Sequence, residues 1–312
     1  MSTVTATAPV ATTTRSSKKP RTSTSGGSGT AWAMLAPAGV LMLVFLIVPI
    51  VLTLSLAFTD ARLISPTPAK FTGLTNFTRL FGSNVFWHSL QNTIVFALVI
   101  VPVQSACALG LAVLVNAKVR GTNFFRTVYF LPVVTSMVVV SMLWLFMYQQ
   151  DGLINSLLAQ IGITGPDWIG DPNTALFAII LMSAWQAMGF HMVIWLSGLQ
   201  TISADLYEAA SLDGAGPWQQ FVNVTWPGLK QTRTFILITI TIAAFSLFTQ
   251  INVMTQGGPL DSTSTLVFLA VRTGFQQQRT GYASAMSLVF FVLVLAVSLV
   301  QRHLTRDKEL QR

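Results

Sequence analysis

The chain has 312 residues, of which 52% are hydrophobic and only 9% are charged. Soluble domains carry roughly 25% charged residues, so this composition excludes an ordinary soluble protein and favours a surface that faces a lipid bilayer. A net charge of +8 favours nucleic acid when a protein is soluble. Here the basic residues stand beside apolar segments, so we expect no nucleic-acid partner.

The first 30 residues are rich in Thr, Ser, Gly and Ala and cannot bury a core. This composition predicts a disordered tail over 1–30. A secretory signal is the alternative interpretation. The apolar run that follows, 32–58, is far longer than the roughly 7–15 residues of a signal's apolar region, so we expect a membrane span there.

Five further apolar runs each approach the ~20 residues that cross a hydrocarbon layer of ~30 Å. None of the six runs contains Asp, Glu, Lys or Arg, and one such charge at mid-span costs about 2.5–3.5 kcal/mol on insertion scales. The sequence therefore predicts an all-α membrane protein with six transmembrane helices inside a domain of 31–305, followed by a tail of 306–312. The predicted spans are 32–58, 93–115, 128–147, 175–199, 235–254 and 283–300.

The distribution of Lys and Arg predicts the orientation of the spans. With the N-terminus in the cytoplasm, the cytoplasmic segments hold 13 of these residues and the outer loops hold 5. Cytoplasmic loops are the ones enriched in Lys and Arg. We therefore expect both termini in the cytoplasm.

The loop 200–234, between the fourth and fifth predicted spans, carries the pattern of a helix-turn-helix. Ser203 suits the cap of a first helix, and that helix must stop at Asp213-Gly214. Pro217 suits the first turn of a second helix, which we expect Pro227 to end.

The second helix of this loop has one apolar face. Its residues Trp218, Phe221 and Val222 lie at positions i, i+3 and i+4, which share a helical face. Such a face either lies on lipid or docks into a groove on a partner protein. The local pattern alone leaves both interpretations open.

Four motifs resemble those of one family of transporters. The run Glu208-Ala209-Ala210-x3-Gly214-x9-Val224-x-Trp226-Pro227 resembles the EAA loop of importer permeases, E-A-A-x3-G-x9-I-x-L-P, with Trp226 in place of Leu as its main departure. The chain resembles the maltose-transporter-like, type I permeases of ATP-binding cassette (ABC) importers over about 32–305. The other three motifs look similar to segments of the same sugar-permease branch: Leu35-Ala36-Pro37, Gly73-Leu74-x-Asn76-Phe77 and Thr255-Gln256-Gly257-Gly258-Pro259.

The resemblance implies partners and a mechanism. It implies a second homologous permease subunit, two ATPase subunits and an extracytoplasmic solute-binding protein, together in the inner membrane of a prokaryote. In that family the EAA loop forms a coupling helix that sits in a cleft of the ATPase, and ATP-driven closure produces alternating access. The residues expected in ATPase coupling are Glu208, Ala209, Ala210, Asp213, Gly214, Trp218, Phe221 and Pro227.

The chain lacks the sequence that cradles ATP phosphates. It contains no Gly-x4-Gly-Lys-[Ser/Thr] run, and no Gly-Lys dipeptide at all, which the usual phosphate-binding loop requires. We therefore expect that this chain is not an enzyme and binds no cofactor. ATP and Mg²⁺ are expected on the partner ATPase.

Polar side chains near the middle of the fourth and fifth predicted spans mark a candidate solute path, because transporters place substrate near the midplane. A ring beside amide and hydroxyl groups suits a sugar. For Gln186 and Ser246 the alternative role is a hydrogen bond between helices. The candidates are Gln186, Ala187, Phe190, Ser246, Thr249 and Gln250, with Trp144, Trp185 and Asn252 as secondary ones.

Other functions fit parts of the sequence. Glycerol-3-phosphate is the main alternative solute, although a phosphate ester favours basic groups that the spans lack. An ion-coupled secondary transporter usually carries an intramembrane charge. His191 and Ser197 suggest an intramembrane hydrolase, which needs a His on a facing helix, and the sixth span has none. We expect His191 to be a hydrogen-bonded packing residue.

Overall fold

The computed structural model describes residues 27–65, 67–116 and 122–305. Within these ranges the chain is helical apart from the segments that connect the helices, one of which contains an isolated antiparallel bridge between Thr59 and Phe71. The predicted tail 306–312 lies outside the described residues, as does the predicted N-terminal tail up to residue 26. Residues 27–30 are helical instead of irregular, because main-chain hydrogen bonding extends the first helix beyond its apolar run.

The described part of the chain contains fifteen α-helices and three π-helical segments. The π-helical segments are Leu43–Ile47, Phe221–Thr225 and Arg272–Gln276. The α-helices in chain order are α1 (Gly27–Met42), α2 (Val48–Leu56), α3 (Thr75–Phe81), α4 (Asn84–Asn116), α5 (Thr122–Val134), α6 (Met137–Met147), α7 (Leu153–Gln160), α8 (Ala175–Leu199), α9 (Ala204–Leu212), α10 (Pro217–Gln220), α11 (Trp226–Gly228), α12 (Lys230–Phe245), α13 (Thr249–Met254), α14 (Leu266–Val271) and α15 (Thr280–Thr305).

Five helical stretches are long and apolar enough to cross a membrane, and the bent pair of α5 and α6 makes a sixth if it is counted as one span. Each predicted span coincides with one of these stretches, and most of the helices begin earlier than the apolar run. Polar residues at those early ends can lie beyond the hydrocarbon layer. The five stretches are Trp32–Leu56, Asn84–Asn116, Ala175–Leu199, Lys230–Met254 and Thr280–His303.

The third predicted span, 128–147, is not one straight helix in the structure. The axis of α6 is bent by 99° from that of α5, and Ser136 between them has a non-helical backbone. The Pro132 carbonyl oxygen accepts a hydrogen bond from Gln186 Nε2 at 3.3 Å, so a side chain of α8 satisfies a group released by the bend.

The fifth span is also interrupted. Residues 246–248 separate α12 from α13, and Phe248 has φ −138° and ψ −56°. Thr265 Oγ1 donates a hydrogen bond to the carbonyl oxygen of Leu247 at 2.9 Å. A residue beyond the span therefore compensates one of the main-chain groups that the break releases.

The chain divides into two compact units at Val51. The described part of the first unit is a helical stretch whose side chains are exposed from Trp32 onward. In the second unit α8 is the central helix: 56% of the residues in its most apolar stretch are buried, against at most 39% in the other continuous spans. It packs against α4, α5 and α12, and this arrangement positions the loop that follows it.

Candidate functional site in the interhelical hairpin and the spans

The loop between α8 and α12 folds into a helical hairpin, residues 204–228, whose first arm is α9. Ser203 Oγ accepts a hydrogen bond from the Asp205 N–H at 3.3 Å, so the predicted cap is confirmed. Glu208 and Ala209 are exposed, and Ala210 is half-buried. The first arm therefore presents a carboxylate and small side chains on its free surface.

The turn of the hairpin is a Schellman motif. The Ala215 N–H donates to the Ala210 carbonyl oxygen at 2.9 Å, and the Gly214 N–H donates to the Ser211 carbonyl oxygen at 3.1 Å. Gly214 has φ +80°, a conformation that glycine adopts without a steric cost. The prediction that the first helix stops at Asp213-Gly214 is confirmed.

The second arm begins at Pro217, as predicted, and continues past Pro227. The Gly216 N–H donates to Gln219 Oε1 at 2.9 Å, which fixes the start of the arm. The chain stays helical from α10 through the π-helical segment to Gly228, so the prediction that Pro227 ends the arm is wrong. Pro227 lies just after the π-helical segment and has no N–H group to bond to the preceding turn.

The apolar face predicted on the second arm is divided between the core and the surface. Phe221 is half-buried and packs against a cluster of buried side chains from α4, α8 and α12. Trp218 is 74% exposed, and its ring lies 5.7 Å from that of Phe221 with an interplanar angle of 21°. Val222 is exposed as well. The hairpin therefore carries an exposed indole, that of Trp218, which stacks on the half-buried Phe221 ring.

Side-chain hydrogen bonds join the two arms of the hairpin. Tyr207 Oη lies 2.9 Å from Thr225 Oγ1. Gln220 Nε2 donates to Ser211 Oγ at 2.9 Å and to the Ala215 carbonyl oxygen at 3.1 Å. Sequence reasoning missed these bonds, because nothing in the local pattern indicates which polar residues of the two arms face each other.

The solute-path candidates on α8 do not form one surface. Gln186 is only 8% exposed and bonds to the Pro132 carbonyl oxygen, which is the interhelical role considered as its alternative. Ala187 is half-buried, whereas Phe190 is 45% exposed. Among the secondary candidates, Trp185 is 39% exposed and contacts the buried Trp144, whose ring centroid lies 5.4 Å away.

The break in the fifth span separates the candidates on that span. Ser246 is exposed, and its Oγ donates to the Ile242 carbonyl oxygen at 3.0 Å. Thr249 and Gln250 are half-buried and Asn252 is exposed. In one regular helix Ser246, Thr249 and Gln250 would share a face; the expectation of such a face on the fifth predicted span is wrong, because three non-helical residues interrupt the periodicity between α12 and α13.

A buried polar pair that the sequence did not predict joins α4 to α8. Gln104 and His191 are 4% and 5% exposed, and Gln104 Nε2 lies 2.8 Å from His191 Nδ1. The same Nδ1 lies 3.0 Å from the Ala187 carbonyl oxygen. A protonated Nδ1 donates to Ala187, whereas an unprotonated Nδ1 accepts from Gln104. His191 is thus a hydrogen-bonded packing residue. An amide inside an apolar run was the signal that could have identified Gln104.

The other two motifs with a glycine both form ordered loops. Asn76 Nδ2 donates to the carbonyl oxygens of Ala57 and Thr59 at 2.9 and 2.8 Å, close to Gly73 with φ +59°. In the 255–259 motif, Gly257 has φ +88°, and Thr263 Oγ1 lies 2.7 Å from Thr255 Oγ1 and donates to the Gly258 carbonyl oxygen at 2.8 Å. Both motifs thus lie in hydrogen-bonded loops.

The spans and the hairpin define a polytopic helical membrane protein. Residues 104–309 match the family of binding-protein-dependent transport system inner membrane components. The chain belongs to this family, and it is a membrane permease subunit of an ABC transporter. The family's membrane subunits are non-catalytic. Among the residues that the structure describes, no three His, Cys, Asp or Glu side chains come together as metal ligands would.

Two relatives and one solved structure resemble the chain over most of its length. It is 37% identical to the lactose transport system permease protein LacF of Rhizobium radiobacter over 306 residues, covering 96% of this chain and 100% of the relative. It is 33% identical to the trehalose/maltose transport system permease protein MalF of Thermococcus litoralis over 271 residues, covering 86% and 91%. The crystal structure of a bacterial alginate ABC transporter in complex with an alginate pentasaccharide-bound periplasmic protein matches with a TM-score of 0.79 at 23% identity, covering 89% of this chain and 94% of the other. The structural likeness supports the fold, and the all-α membrane fold predicted from the sequence is confirmed.

Proposed function

We propose that this chain is one of two permease subunits in an ATP-driven importer of a sugar. A second, homologous permease subunit completes the passage, and an extracytoplasmic binding protein delivers the solute. Two ATPase subunits hold ATP and Mg²⁺ on the cytoplasmic side. Both termini and the hairpin lie in the cytoplasm of a prokaryote, in keeping with the 13 Lys and Arg residues of the cytoplasmic segments against 5 in the outer loops.

The hairpin is the observation that carries the proposal. Residues 200–229 contain three acidic residues and no Lys or Arg, whereas helices that lie on membranes are rich in Lys and Arg on their polar face. The exposed Trp218 and Glu208 therefore favour a protein partner over a lipid surface, and exposed Trp side chains are enriched among residues that anchor interfaces. The hairpin binds the ATPase, and its movement when ATP closes the ATPase pair switches the access of the passage.

The coupling role rests on residues of the hairpin with different tasks. Gly214 allows the tight turn, and Asp213 ends the first helix before it. Glu208 and Trp218 offer a charge and a ring to the partner, Phe221 supports the ring, and small residues admit close approach. The proposed coupling set remains Glu208, Ala209, Ala210, Asp213, Gly214, Trp218, Phe221 and Pro227.

A neutral sugar fits the groups that remain accessible along the proposed path. Phe190 and Trp185 offer exposed rings, and Ser246 and Asn252 offer an exposed hydroxyl and an exposed amide. No Asp, Glu, Lys or Arg lies in the six predicted spans, which suits an uncharged solute better than a phosphate ester. Relatives named for lactose and for trehalose/maltose support the same class of solute.

Reconstitution tests the proposal. The complex purified through a tag on this chain should contain a second permease and an ATPase, and in vesicles it should accumulate radiolabelled lactose, maltose or trehalose when ATP and the binding protein are both present. Glycerol-3-phosphate serves as the competing solute. Accumulation by this chain alone, without nucleotide or binding protein, would overturn the proposed function, and uptake of glycerol-3-phosphate in place of sugars would overturn the assigned solute class.

A further inference from the structure

Four planar side chains form a continuous row from the tip of the hairpin to the start of α12, and we name this row the aromatic ladder (Trp218, Phe221, Trp226 and Arg233). The ring centroids of Trp218 and Phe221 are 5.7 Å apart, and those of Phe221 and Trp226 are 6.4 Å apart. The guanidinium carbon of Arg233 lies 4.4 Å from the centroid of the Trp226 ring. Both kinds of contact fall within the distances at which aromatic pairs and cation–π pairs attract.

The π-helical segment brings the middle rungs of the ladder together. Phe221 and Trp226 are five residues apart, a spacing that places side chains on different faces of an α-helix. The Trp226 N–H bonds instead to the Phe221 carbonyl oxygen, which is the i to i+5 pattern of a π-helix. This wider turn sets position i+5 over position i, so the two rings come into contact.

Both ends of the ladder are held firmly. At the hairpin, the Tyr207–Thr225 and Ser211–Gln220 hydrogen bonds join the two arms. At α12, Leu229 is fully buried in the cluster with α4 and α8. We therefore expect the two arms of the hairpin to move together.

We propose that Trp226 and Arg233 are positioning residues, which transmit the displacement of the hairpin to the fifth span through the aromatic ladder. This inference rests on the proposed coupling function of the hairpin. Trp226 stands where the EAA pattern has Leu, and a leucine side chain has no ring face for Arg233 to contact. The Arg233 contact therefore gives this chain a link between the hairpin and the fifth span that the pattern itself does not supply.

A double-mutant cycle on the purified complex tests the ladder. The variants are Trp226→Leu, Arg233→Gln and the double variant, and the readout is the number of solute molecules transported per ATP hydrolysed. Each single variant should lower this ratio about fivefold, which is the fold-change that about 1 kcal/mol represents. The double variant should fall no further, because either substitution alone breaks the same link.

The control variant is Arg79→Gln. It removes another guanidinium that lies over an aromatic ring, 5.3 Å from the Tyr282 centroid, in a part of the chain far from the hairpin in sequence. The ratio should remain unchanged. An equal loss in this control, or unchanged ratios in both single variants of the ladder, would overturn the inference.

Two further measurements keep the outcome clear. If a ladder variant fails to assemble, Trp226→Phe and Arg233→Lys keep a ring and a charge, and a loss of about twofold is then expected; no loss in either one overturns the ladder. Glu208→Lys separates this inference from the proposed function. If the Glu208→Lys complex keeps its ATPase subunits and its uptake, the coupling role itself is contradicted. If it loses both, while the ladder variants keep the normal number of solute molecules transported per ATP, only the ladder is contradicted.

Discussion

His191 Nδ1 on α8 lies 2.8 Å from Gln104 Nε2 on α4, and both side chains are almost fully buried. Among the described helices, these two have the most extensive contact with each other. Hydrogen bonds between membrane helices contribute only modestly, because the unfolded state in the bilayer also offers polar partners. The pair therefore orients the two helices more than it stabilises them.

Replacing one partner of the Gln104–His191 pair tests how far the two side chains depend on each other. We expect His191→Leu to lower the free energy of unfolding by about 1–2 kcal/mol, because it leaves the buried Gln104 amide unpaired. Gln104→Leu should cost less, because His191 Nδ1 can still donate to the Ala187 carbonyl oxygen. The double variant should lose less than the sum of the two. Thermal unfolding of the complex in detergent measures this, and strictly additive losses would show that the two side chains are not coupled.

A matched pair of glycines tests the packing of α8. A β-carbon at Gly189 would overlap the main-chain carbonyl group of Tyr129 on α5, whereas a β-carbon at Gly110 on α4 would meet nothing within 4 Å. Gly189→Ala should therefore destabilise the protein by about 1–3 kcal/mol. Gly110→Ala should be neutral or stabilise it by up to about 1 kcal/mol, because alanine favours the helix. Equal melting temperatures for the two variants would contradict the observed crossing of α5 and α8.

A second pair of glycines tests the turn of the hairpin. Gly214→Val forces a β-branched residue into φ +80°, at a cost of about 1–2 kcal/mol or more. It should abolish uptake while the protein still inserts in the membrane, as should Glu208→Lys. Gly216→Ala is the control, since Gly216 has φ −70° and open space around it. Normal uptake by Gly214→Val and Glu208→Lys would contradict the coupling assignment.

The structure separates two residues that the sequence places together on the solute path. Ser246→Leu changes an exposed side chain, so it should alter solute-stimulated ATP hydrolysis with little change in stability. Gln186→Leu removes the bond to the Pro132 carbonyl oxygen, so it should lower the melting temperature instead, by the loss of about 1 kcal/mol. A Ser246→Leu complex with unchanged stimulation and transport would remove Ser246 from the path.

The features that depend on neighbouring residues could be predicted from the sequence. The apolar runs set the positions of the spans, because a span needs about 20 apolar residues wherever it packs. The Ser203 cap and the Gly214 turn are local as well, since each needs only the hydrogen bonds of the adjoining helix. The hairpin could therefore be predicted from the sequence, whereas the extension of its second arm to Gly228 could not.

The breaks in the third and fifth spans could not be predicted, because distant residues make them tolerable. The Pro132 carbonyl group bonds to Gln186, and the Leu247 carbonyl group bonds to Thr265. A released main-chain group in a membrane is costly unless another part of the protein satisfies it. The identity of that part depends on tertiary packing, so the sequence alone does not show where a span departs from a regular helix.

The right-angled elbow between α5 and α6 limits how far the pair can reach. Limbs of 13 and 11 residues measure about 20 and 16 Å at a rise of ~1.5 Å per residue. Bent by 99°, they extend over at most about 24 Å, less than the ~30 Å of a typical hydrocarbon slab. Because Ser136 at the corner is exposed on this chain and irregular backbone does not face acyl chains, the corner should lie against protein or a water-filled cavity and not against lipid. The elbow thus marks a side of the molecule that must be kept away from the acyl chains.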